Sequence, residues 1–529
     1  MRTAYQATAL GLLLAGCALG PKYERPETVP IHTDWRDTSV ALRDSSYANI
    51  PWWGVLQDTT LQGLIRIALR ENRDLHVALA RVNEARALLG IQRLEFWPQI
   101  DVQGRIGISE GADSLISGVE SNELGFLGAT LSWELDLWGR LRRLNESAQA
   151  ALLATEQGRR GVILIVVSEV ARAYLELLDL DAQVAIADSQ VSIRQQSLEL
   201  ARSRFKGGLT SELDVSQGEN SLAIAEGTRS RTLRLRTQKE NELSVLLGRP
   251  PGNLPRGLSL TQQQFPNVIP AGLPSELLER RPDVRQAEEQ LHAANARIGA
   301  AIAARFPTIS LTAAGGTVSD DLGSLFESGT GFFNIAANLL GPIINSGRSG
   351  KQVAAERART EAAVGQYERT VLIAFQEVED GLVSVQRLRE EAESAARAAA
   401  AARRSVVLAG KRYEGGVDNY LNLLDAQRTQ LDAELQESQL QQQQRVAVVR
   451  LYRALGGGWD PVTDTLALPL RADSQPDRDS TPTTGEPEGA GAAPPPGSGG
   501  PASTQGGVES RAARASDPAR GPTPGARGR

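Results

Sequence analysis

The chain of 529 residues has few of the side chains from which catalytic and covalently linked sites are built. It contains one cysteine, so no disulfide can form within one copy, and its three histidines (His32, His76 and His292) stand far apart. None of the histidines has a cysteine or paired carboxylates in a metal-binding or nucleophile pattern. The glycine-rich stretch 456–458 lacks the lysine of a phosphate loop. We therefore expect no enzyme and no bound cofactor.

The chain has little excess of one sign of charge, and aromatic side chains are also scarce. Asp and Glu number 63 against 57 Lys and Arg, and this balance gives no reason to expect a nucleic-acid partner. Aromatic residues make up 5% of the chain. A composition of this kind favours long helices packed through small residues over a bulky globular core.

The apolar run near the N-terminus, Ala9–Ala15, is too short to cross a bilayer as a helix. It follows the basic residue Arg2 and leads into Leu14-Ala15-Gly16-Cys17, the pattern of a lipoprotein signal peptide. We predict cleavage before Cys17 and lipid attachment to it, with each buried methylene contributing about 0.8 kcal/mol of membrane affinity. Ala18 in the next position predicts sorting to the outer membrane. The alternative is an ordinary signal peptide with an incidental cysteine.

The chain repeats itself at one interval. Arg204–Gly208 returns as Arg412–Gly416, an interval of 208 residues, and Gly139-Arg140 returns at the same interval as Gly347-Arg348. Unrelated local patterns that share one interval indicate two copies of one unit. Each copy shows the pattern of a helix, two strands, a very long helix, a Gly-Gly turn and a further helix.

The long helix carries the clearest periodicity. In the first copy, residues seven apart are apolar: Ile163, Val170, Leu177, Val184, Val191, Leu198 and Phe205. The companion position three residues later is apolar too, with Arg194 as the exception, and the second copy repeats the pattern from Val371 to Tyr413. Such heptads specify a coiled coil. A helix from Gly139 to Lys206 would span about 100 Å.

Two runs in each copy alternate between apolar and polar residues as strands do. Apolar positions in the first copy are Ile100, Val102, Ile106, Ile108, Leu127, Ala129, Leu131, Trp133 and Leu135, and those in the second are Ile309, Leu311, Ala313, Phe333, Ile335, Ala337 and Leu339. Runs of about ten residues have the length of tilted membrane-crossing strands, and Trp97, Trp133 and Trp138 flank them as interfacial aromatics do. A soluble sheet with one buried face would show the same alternation.

Four strands cannot close a transmembrane barrel, and an open sheet edge in lipid is too costly. Two copies would supply eight strands, whose interior is filled by side chains, whereas three copies would supply twelve and leave room for a lumen. The strand number therefore favours a homotrimer.

Several motifs resemble the TolC-like outer-membrane factor family, in particular its lipoprotein branch of the OprM and NodT type. They are Gly20–Pro26, Pro51-Trp52-Trp53, Asn72–Leu75, Arg280–Asp283, Gly415–Leu421, Leu423–Gln427 and Leu455–Trp459. The resemblance implies a mainly α trimer: a twelve-stranded membrane β-barrel continued by a twelve-helix periplasmic α-barrel, with a mixed α/β equatorial belt. It implies a passive efflux duct that works with a periplasmic adaptor protein and an inner-membrane transporter of the resistance-nodulation-division type.

The predicted segments follow from the repeats and the resemblance. They are a signal peptide (1–16), a lipidated N-terminal segment (17–55), a first efflux repeat (56–250), an equatorial linker (251–269), a second efflux repeat (270–460) and a tail (471–529). The tail is rich in Pro, Gly and Ser and has almost no apolar side chains, so we predict that it is disordered.

By the resemblance, the two turns between long helices form the periplasmic tip that docks the adaptor. The matching residues are Arg204, Gly207, Gly208, Leu209, Thr210, Ser211, Leu213, Asp214, Gly415, Gly416 and Val417. Glycines permit a tight reversal, and Ser211 has a residue type that caps helices. The alternative is that these are turn residues and nothing more.

Leu421 and Asp425 are four residues apart and so share a helix face. They match the family's pore constriction, where a hydrophobic ring and a carboxylate ring narrow the channel. In a trimer three carboxylates would favour cations in the narrow mouth. The alternative is that Asp425 is a solvated helix-end carboxylate.

Two other protein classes compete with the efflux duct. A coiled-coil structural or adhesin-type outer-membrane lipoprotein would form an elongated fibre without channel activity. A periplasmic adaptor with a lipoyl-like domain would carry one helical hairpin rather than two matched copies. The membrane-length strands inside each repeat favour the duct, and the exported compound stays open.

Overall fold

The computed structural model describes residues 18–26, 35, 52–108, 123–263, 274–319 and 322–457. Cys17 and the tail at 471–529 lie outside these residues, so lipid attachment and disorder of the tail stay predictions. In the described part of the chain, none of the helices combines the length and the apolar character that crossing a membrane requires.

Apart from the short helix at Trp52–Val55, the same order of elements occurs twice. The first set is α1 (Trp52–Val55), α2 (Thr59–Glu71), α3 (Arg73–Leu94), β1 (Gln99–Ile108), β2 (Glu123–Leu135), α4 (Arg140–Lys206) and α5 (Glu212–Leu246). The second set is α6 (Pro274–Arg280), α7 (Pro282–Ala303), β3 (Thr308–Ser319), β4 (Gly331–Leu340), α8 (Arg348–Glu414) and α9 (Tyr420–Ala454). Helices α4 and α8 each contain 67 residues, and α5 and α9 each contain 35.

The long helices pack side by side through the heptad positions. Helix α4 contacts both α5 and α9, and α9 also contacts α8. Val170, Leu177 and Val378 are fully or almost fully buried, and so are the small companions Ala173 and Ala374. The small companions let the helix backbones approach closely along these heptad seams. The prediction of two very long helices is confirmed.

Arg194, the exception in the heptad pattern, is buried together with its apolar neighbours. Its Nη1 donates a hydrogen bond to the Ser221 hydroxyl of α5. Burial lowers the pKa of the Arg194 guanidinium because the charged form loses water.

The four strands form one antiparallel sheet in the order β1-β2-β3-β4, so strands from both halves of the chain are hydrogen-bonded. Its register aligns residues in rows across the strands. One row consists of Ile100, Leu131, Ala313 and Ile335, and the next consists of Asp101, Thr130, Ala314 and Asn334. Because successive residues of a strand point to opposite faces, one face of the sheet is apolar and the other is more polar.

The apolar face is not covered by the described part of the chain. Ile100, Val102 and Ile106 are 69–76% exposed, and Phe333 and Ile335 are 85% and 78% exposed. A soluble sheet with one buried face would have these side chains in its core. Exposed apolar rows of this extent mark a surface that contacts lipid or a partner.

Two tryptophans fix the junction between the helices and the sheet. The Trp133 indole N–H donates to the Phe96 carbonyl at 2.9 Å, and the Trp138 indole N–H donates to the Pro307 carbonyl at 2.7 Å. Trp138 also stacks on Phe306 with ring centroids 4.9 Å apart. Both turns that lead into β1 and β3 are thereby tied to the end of β2.

The N-terminal segment at 18–26 binds along this junction. Arg143 of α4 donates to the carbonyls of Leu19 and Gly20 at 3.0 and 3.1 Å. The Arg25 guanidinium makes two 2.7 Å hydrogen bonds to Glu288 of α7. The start of the described chain is therefore held against α4 and α7.

Asp58 joins segments that are distant in the chain through five hydrogen bonds. Its carboxylate caps α2 by accepting from the backbone N–H groups of Thr60 and Leu61. It also accepts from Tyr174 in α4 at 3.1 Å, from the Leu258 N–H at 3.1 Å and from Gln263 at 2.7 Å, and it is buried. The segment 251–263 is thereby attached to the long helix.

We predict that Asp58→Ala lowers the free energy of unfolding by about 3 kcal/mol, because it removes a helix cap and leaves buried donors without an acceptor. Asp74→Ala is the matched control, since Asp74 is an exposed residue in the first turn of α3 and we expect about 0.5 kcal/mol or less there. Denaturant titration of the purified protein in detergent measures both. Equal losses for the two variants would contradict the role of Asp58.

Candidate docking and gating site at the helical tip

The turn from α4 to α5 is a tight reversal. The Gly208 N–H donates to the Phe205 carbonyl and the Leu209 N–H donates to the Arg204 carbonyl, both at 2.9 Å. Gly208 has φ +70, a conformation that glycine adopts without strain, whereas Gly207 has an ordinary φ of −81. The prediction that glycines make the reversal therefore holds for Gly208, and the backbone places no such demand on Gly207.

Three polar residues complete this turn. Ser211 occupies the N-cap position of α5, but its side chain makes no capping hydrogen bond, so the predicted capping role is wrong. Its hydroxyl instead lies 3.4 Å from an Asp214 carboxylate oxygen, and the Thr210 hydroxyl bonds the other oxygen. The hydroxyls thus bind the first-turn carboxylate rather than the helix N–H groups.

The turn from α8 to α9 has the same backbone shape with a different polar network. The Val417 N–H donates to the Arg412 carbonyl at 2.9 Å, and Gly416 has φ +72. Asp418 accepts from Arg412 at 3.1 Å and from Asn422 at 2.6 Å. The hydrogen bond from Arg412 lowers the pKa of the partly exposed Asp418 carboxyl. In this turn Asn419 does cap the helix, because its side chain accepts from the Asn422 N–H.

Arg204 connects the two turns. Its Nη1 donates to the Glu414 carbonyl at 2.9 Å, and its guanidinium carbon lies 5.0 Å from the centre of the Tyr413 ring. Tyr413 and Tyr420 are both buried, with ring centroids 5.1 Å apart. Burial raises the pKa of Tyr420 to about 12 and also raises the pKa of Tyr413. These residues form a small apolar cluster with Ala201 and Leu423, just above the turns.

We predict that Arg204→Met loosens the second turn. The substitution removes a charged hydrogen bond and a cation–π contact, together worth about 1–2 kcal/mol, so hydrogen exchange of residues 412–420 is expected to quicken roughly ten-fold. Arg202→Met is the control, because among the described residues Arg202 makes a surface ion pair with Glu219 alone, at 2.7 Å. Unchanged exchange in the Arg204 variant would show that the turns are held without this contact.

The helical tip, defined as residues 204–214 and 412–425, exposes matching apolar side chains in both turns. Leu209 and Val417 are 70% and 69% exposed, and Leu213 and Leu421 are 63% and 59% exposed. The structure thus brings the sequence-predicted tip residues together at one end of the long helices. These four exposed apolar side chains lie beside glycines, whose backbone no side chain covers. Together they form a surface suited to a protein partner.

Leu421 and Asp425 lie on one exposed face of α9, one helical turn apart. A sequence reading based on the family motif missed the neighbour of Asp425: the Arg428 guanidinium binds its carboxylate at 3.0 Å, and both side chains are exposed. The sequence did contain a signal for this pair, because residues three apart on a helix, such as Asp425 and Arg428, lie side by side. Each carboxylate in this position therefore carries its own counter-ion.

Comparison with known proteins gives a consistent result. The sequence profile of the family described as outer membrane efflux protein matches residues 64–249 and 273–457. The chain is 36% identical over 459 residues to a probable efflux pump outer membrane protein, TtgC, of Pseudomonas putida, with 84% of this chain and 94% of the relative covered. It is 34% identical to the outer membrane protein OprJ of Pseudomonas aeruginosa, with 86% and 95% covered.

Solved structures agree with the sequence relatives. The open state of the Neisseria gonorrhoeae MtrE outer membrane channel superposes with a TM-score of 0.73 at 31% identity and covers 84% of this chain and 98% of that one. The outer-membrane channel OprN superposes with a TM-score of 0.76 at 30% identity, covering 84% of this chain and all of that one. The chain belongs to the outer membrane efflux protein family, as the sequence motifs predicted.

Proposed function

We propose that three copies of this chain form the exit duct of a tripartite efflux pump. The four-stranded sheets join edge to edge into a twelve-stranded barrel in the outer membrane, and the long helices continue it as a twelve-helix tube in the periplasm. Small molecules pass through the duct passively, and an adaptor and an inner-membrane transporter of the resistance-nodulation-division type deliver them. The helical tip docks the adaptor and narrows the pore.

The exposed apolar face of the sheet carries this proposal. Within one copy the rows that contain Ile100 and Val102 have no covering layer among the described residues, and β1 and β4 each leave one edge without a hydrogen-bonded neighbour. Lipid can cover an apolar face of a sheet. The backbone N–H and C=O groups at the sheet edges are paired only when the sheet closes into a barrel. A sheet contributed by each of three copies meets both needs.

The position of Ala18 supports lipid anchoring at the adjacent Cys17. Its neighbour Leu19 donates its N–H to the Trp138 carbonyl at 3.3 Å, and the Ala18 backbone contacts Gly139 between β2 and α4. Acyl chains on Cys17 would therefore begin at the level where the sheet meets the helices, which is the membrane surface in this arrangement.

Relatives are named for antibiotic and toluene efflux. We propose a similar cargo of small organic compounds for this chain. Deletion of the gene is expected to raise susceptibility to such compounds in a panel, and purified protein is expected to migrate as a heat-dissociable trimer and to conduct ions in a planar bilayer. A non-conducting monomer in lipid would contradict the proposal and favour the structural lipoprotein.

A further inference from the structure

The end of the sheet that adjoins the helices is rich in basic residues. Gln99, Leu135, Thr308 and Leu340 lie at one end, as the pairing of Gln99 with Ser132 and of Thr308 with Leu340 shows. The residues around this helical end of the sheet, 91–99, 132–143, 303–310 and 338–351, include seven Lys and Arg but three Asp and Glu.

Carboxylates within the helical end form ion pairs with two of its seven cations. Glu134 binds Arg140 at 2.7 Å and Asp136 binds Arg142 at 3.1 Å. A third cation, Arg143, is buried and occupied by Glu146 and by the N-terminal segment.

Four cations remain: Arg93, Arg305, Arg348 and Lys351. All four are exposed, and none has a carboxylate within ion-pair distance among the residues that the structure describes. Arg305 precedes β3 by three residues, Arg93 belongs to the last turn of α3, and Arg348 begins α8. Their charge is therefore free to meet an external anion at the level of the strand ends.

Exposed apolar side chains accompany these cations. Trp97 is 69% exposed, and Ile343 and Ile344 are more than 90% exposed in the same stretches. Tryptophan beside basic residues is typical of the boundary between hydrocarbon and headgroups. Ala18 at Gly139 is an independent marker of the same level, because it adjoins the predicted lipid attachment site.

We propose that these four cations, Arg93, Arg305, Arg348 and Lys351, form a headgroup collar. The collar binds anionic phospholipid of the phosphatidylglycerol class in the periplasmic leaflet of the outer membrane. The inference rests on the proposed membrane orientation. Three copies would present twelve cations around the duct, and each cation near an anionic lipid surface raises affinity roughly five-fold.

Native mass spectrometry of the detergent-solubilised trimer tests the collar by counting bound phosphatidylglycerol and phosphatidylcholine with identical acyl chains. The wild-type protein is expected to prefer phosphatidylglycerol by roughly ten-fold or more, and R93Q/R305Q/R348Q is expected to lose that preference. R93K/R305K/R348K, which keeps the charge, is expected to retain it. The control R369Q/R397Q/R404Q removes three exposed arginines of α8 that begin about 30 Å further along the helix, and it is expected to behave like wild type.

Each sample is first checked for trimer migration and for conductance in a neutral bilayer. A conducting wild-type trimer without lipid preference would overturn the collar and leave the duct intact, and so would an equal loss of preference in the control. Displacement of the bound lipid by millimolar inorganic phosphate would also overturn it, because it would show a phosphate site without a membrane component. A wild-type monomer without conductance would overturn the duct and the collar together.

Discussion

Gly207→Glu is expected to reduce drug resistance to the level of a deletion strain while the amount of trimer in the outer membrane stays unchanged. Gly207 has an ordinary φ, and a Cβ there would meet its nearest atom, the Arg204 carbonyl oxygen, at 3.6 Å. The isolated chain therefore tolerates a side chain at this position. If the tip docks an adaptor, the introduced carboxylate would be buried in the interface without a cation to pair with. Such buried unpaired charges strongly weaken an interface.

The control for this substitution is Gly227→Glu, on the exposed surface of α5, where a Cβ meets nothing within 4 Å. It adds the same charge to a helix surface away from the tip, so resistance is expected to stay at the wild-type level. Susceptibility testing measures both, and cross-linking of the chain to its adaptor shows whether docking is lost. Wild-type resistance in the Gly207 variant would remove this residue from the docking surface.

The double variant Leu421→Ala/Asp425→Ala is expected to raise single-channel conductance several-fold in planar bilayers. Both side chains are exposed on one face of α9, and removing them widens a constriction built from three such faces. Unchanged conductance would place the narrow point of the duct elsewhere.

The Arg428 ion pair predicts a separate change in ion selectivity. Asp425→Ala leaves three uncompensated guanidinium groups at the constriction, so the reversal potential in a salt gradient is expected to move towards anion preference. Asp425→Ala/Arg428→Ala removes both charges and is expected to return selectivity towards the wild-type value. A shift towards cations in the single variant would contradict a pore-facing position for this pair.

Periodic features of the fold were predictable because each depends on local spacing. The heptads from Ile163 and from Val371 specified α4 and α8, and apolar residues at alternate positions indicated all four strands. Spacing also predicted that Leu421 and Asp425 share a face. The repeat interval was enough to place equivalent turns at Gly208 and Gly416.

Contacts between distant segments left no such signal. Arg204 bonds a backbone carbonyl of Glu414, and any residue would present that carbonyl. Arg25 pairs with Glu288 and Glu279 out of the many acidic residues of the chain, and Asp58 gathers donors from segments as far apart as Thr60 and Gln263. These partners depend on how the helices pack, which sequence periodicity does not specify.

Cysteine cross-linking between neighbouring sheet edges tests the closed trimer most directly, because Cys17 is the only native cysteine. Val102→Cys on β1 is combined in turn with cysteine at Phe333, Ile335, Ala337 or Leu339 on β4, and the protein is oxidised in membranes. Within one copy these strands lie three spacings apart, about 14 Å, which is too far for a disulfide. If three sheets close into one barrel, at least one register is expected to give bands of two and three linked chains and none larger. Unlinked monomer at every register, or a ladder that continues beyond three, would contradict it.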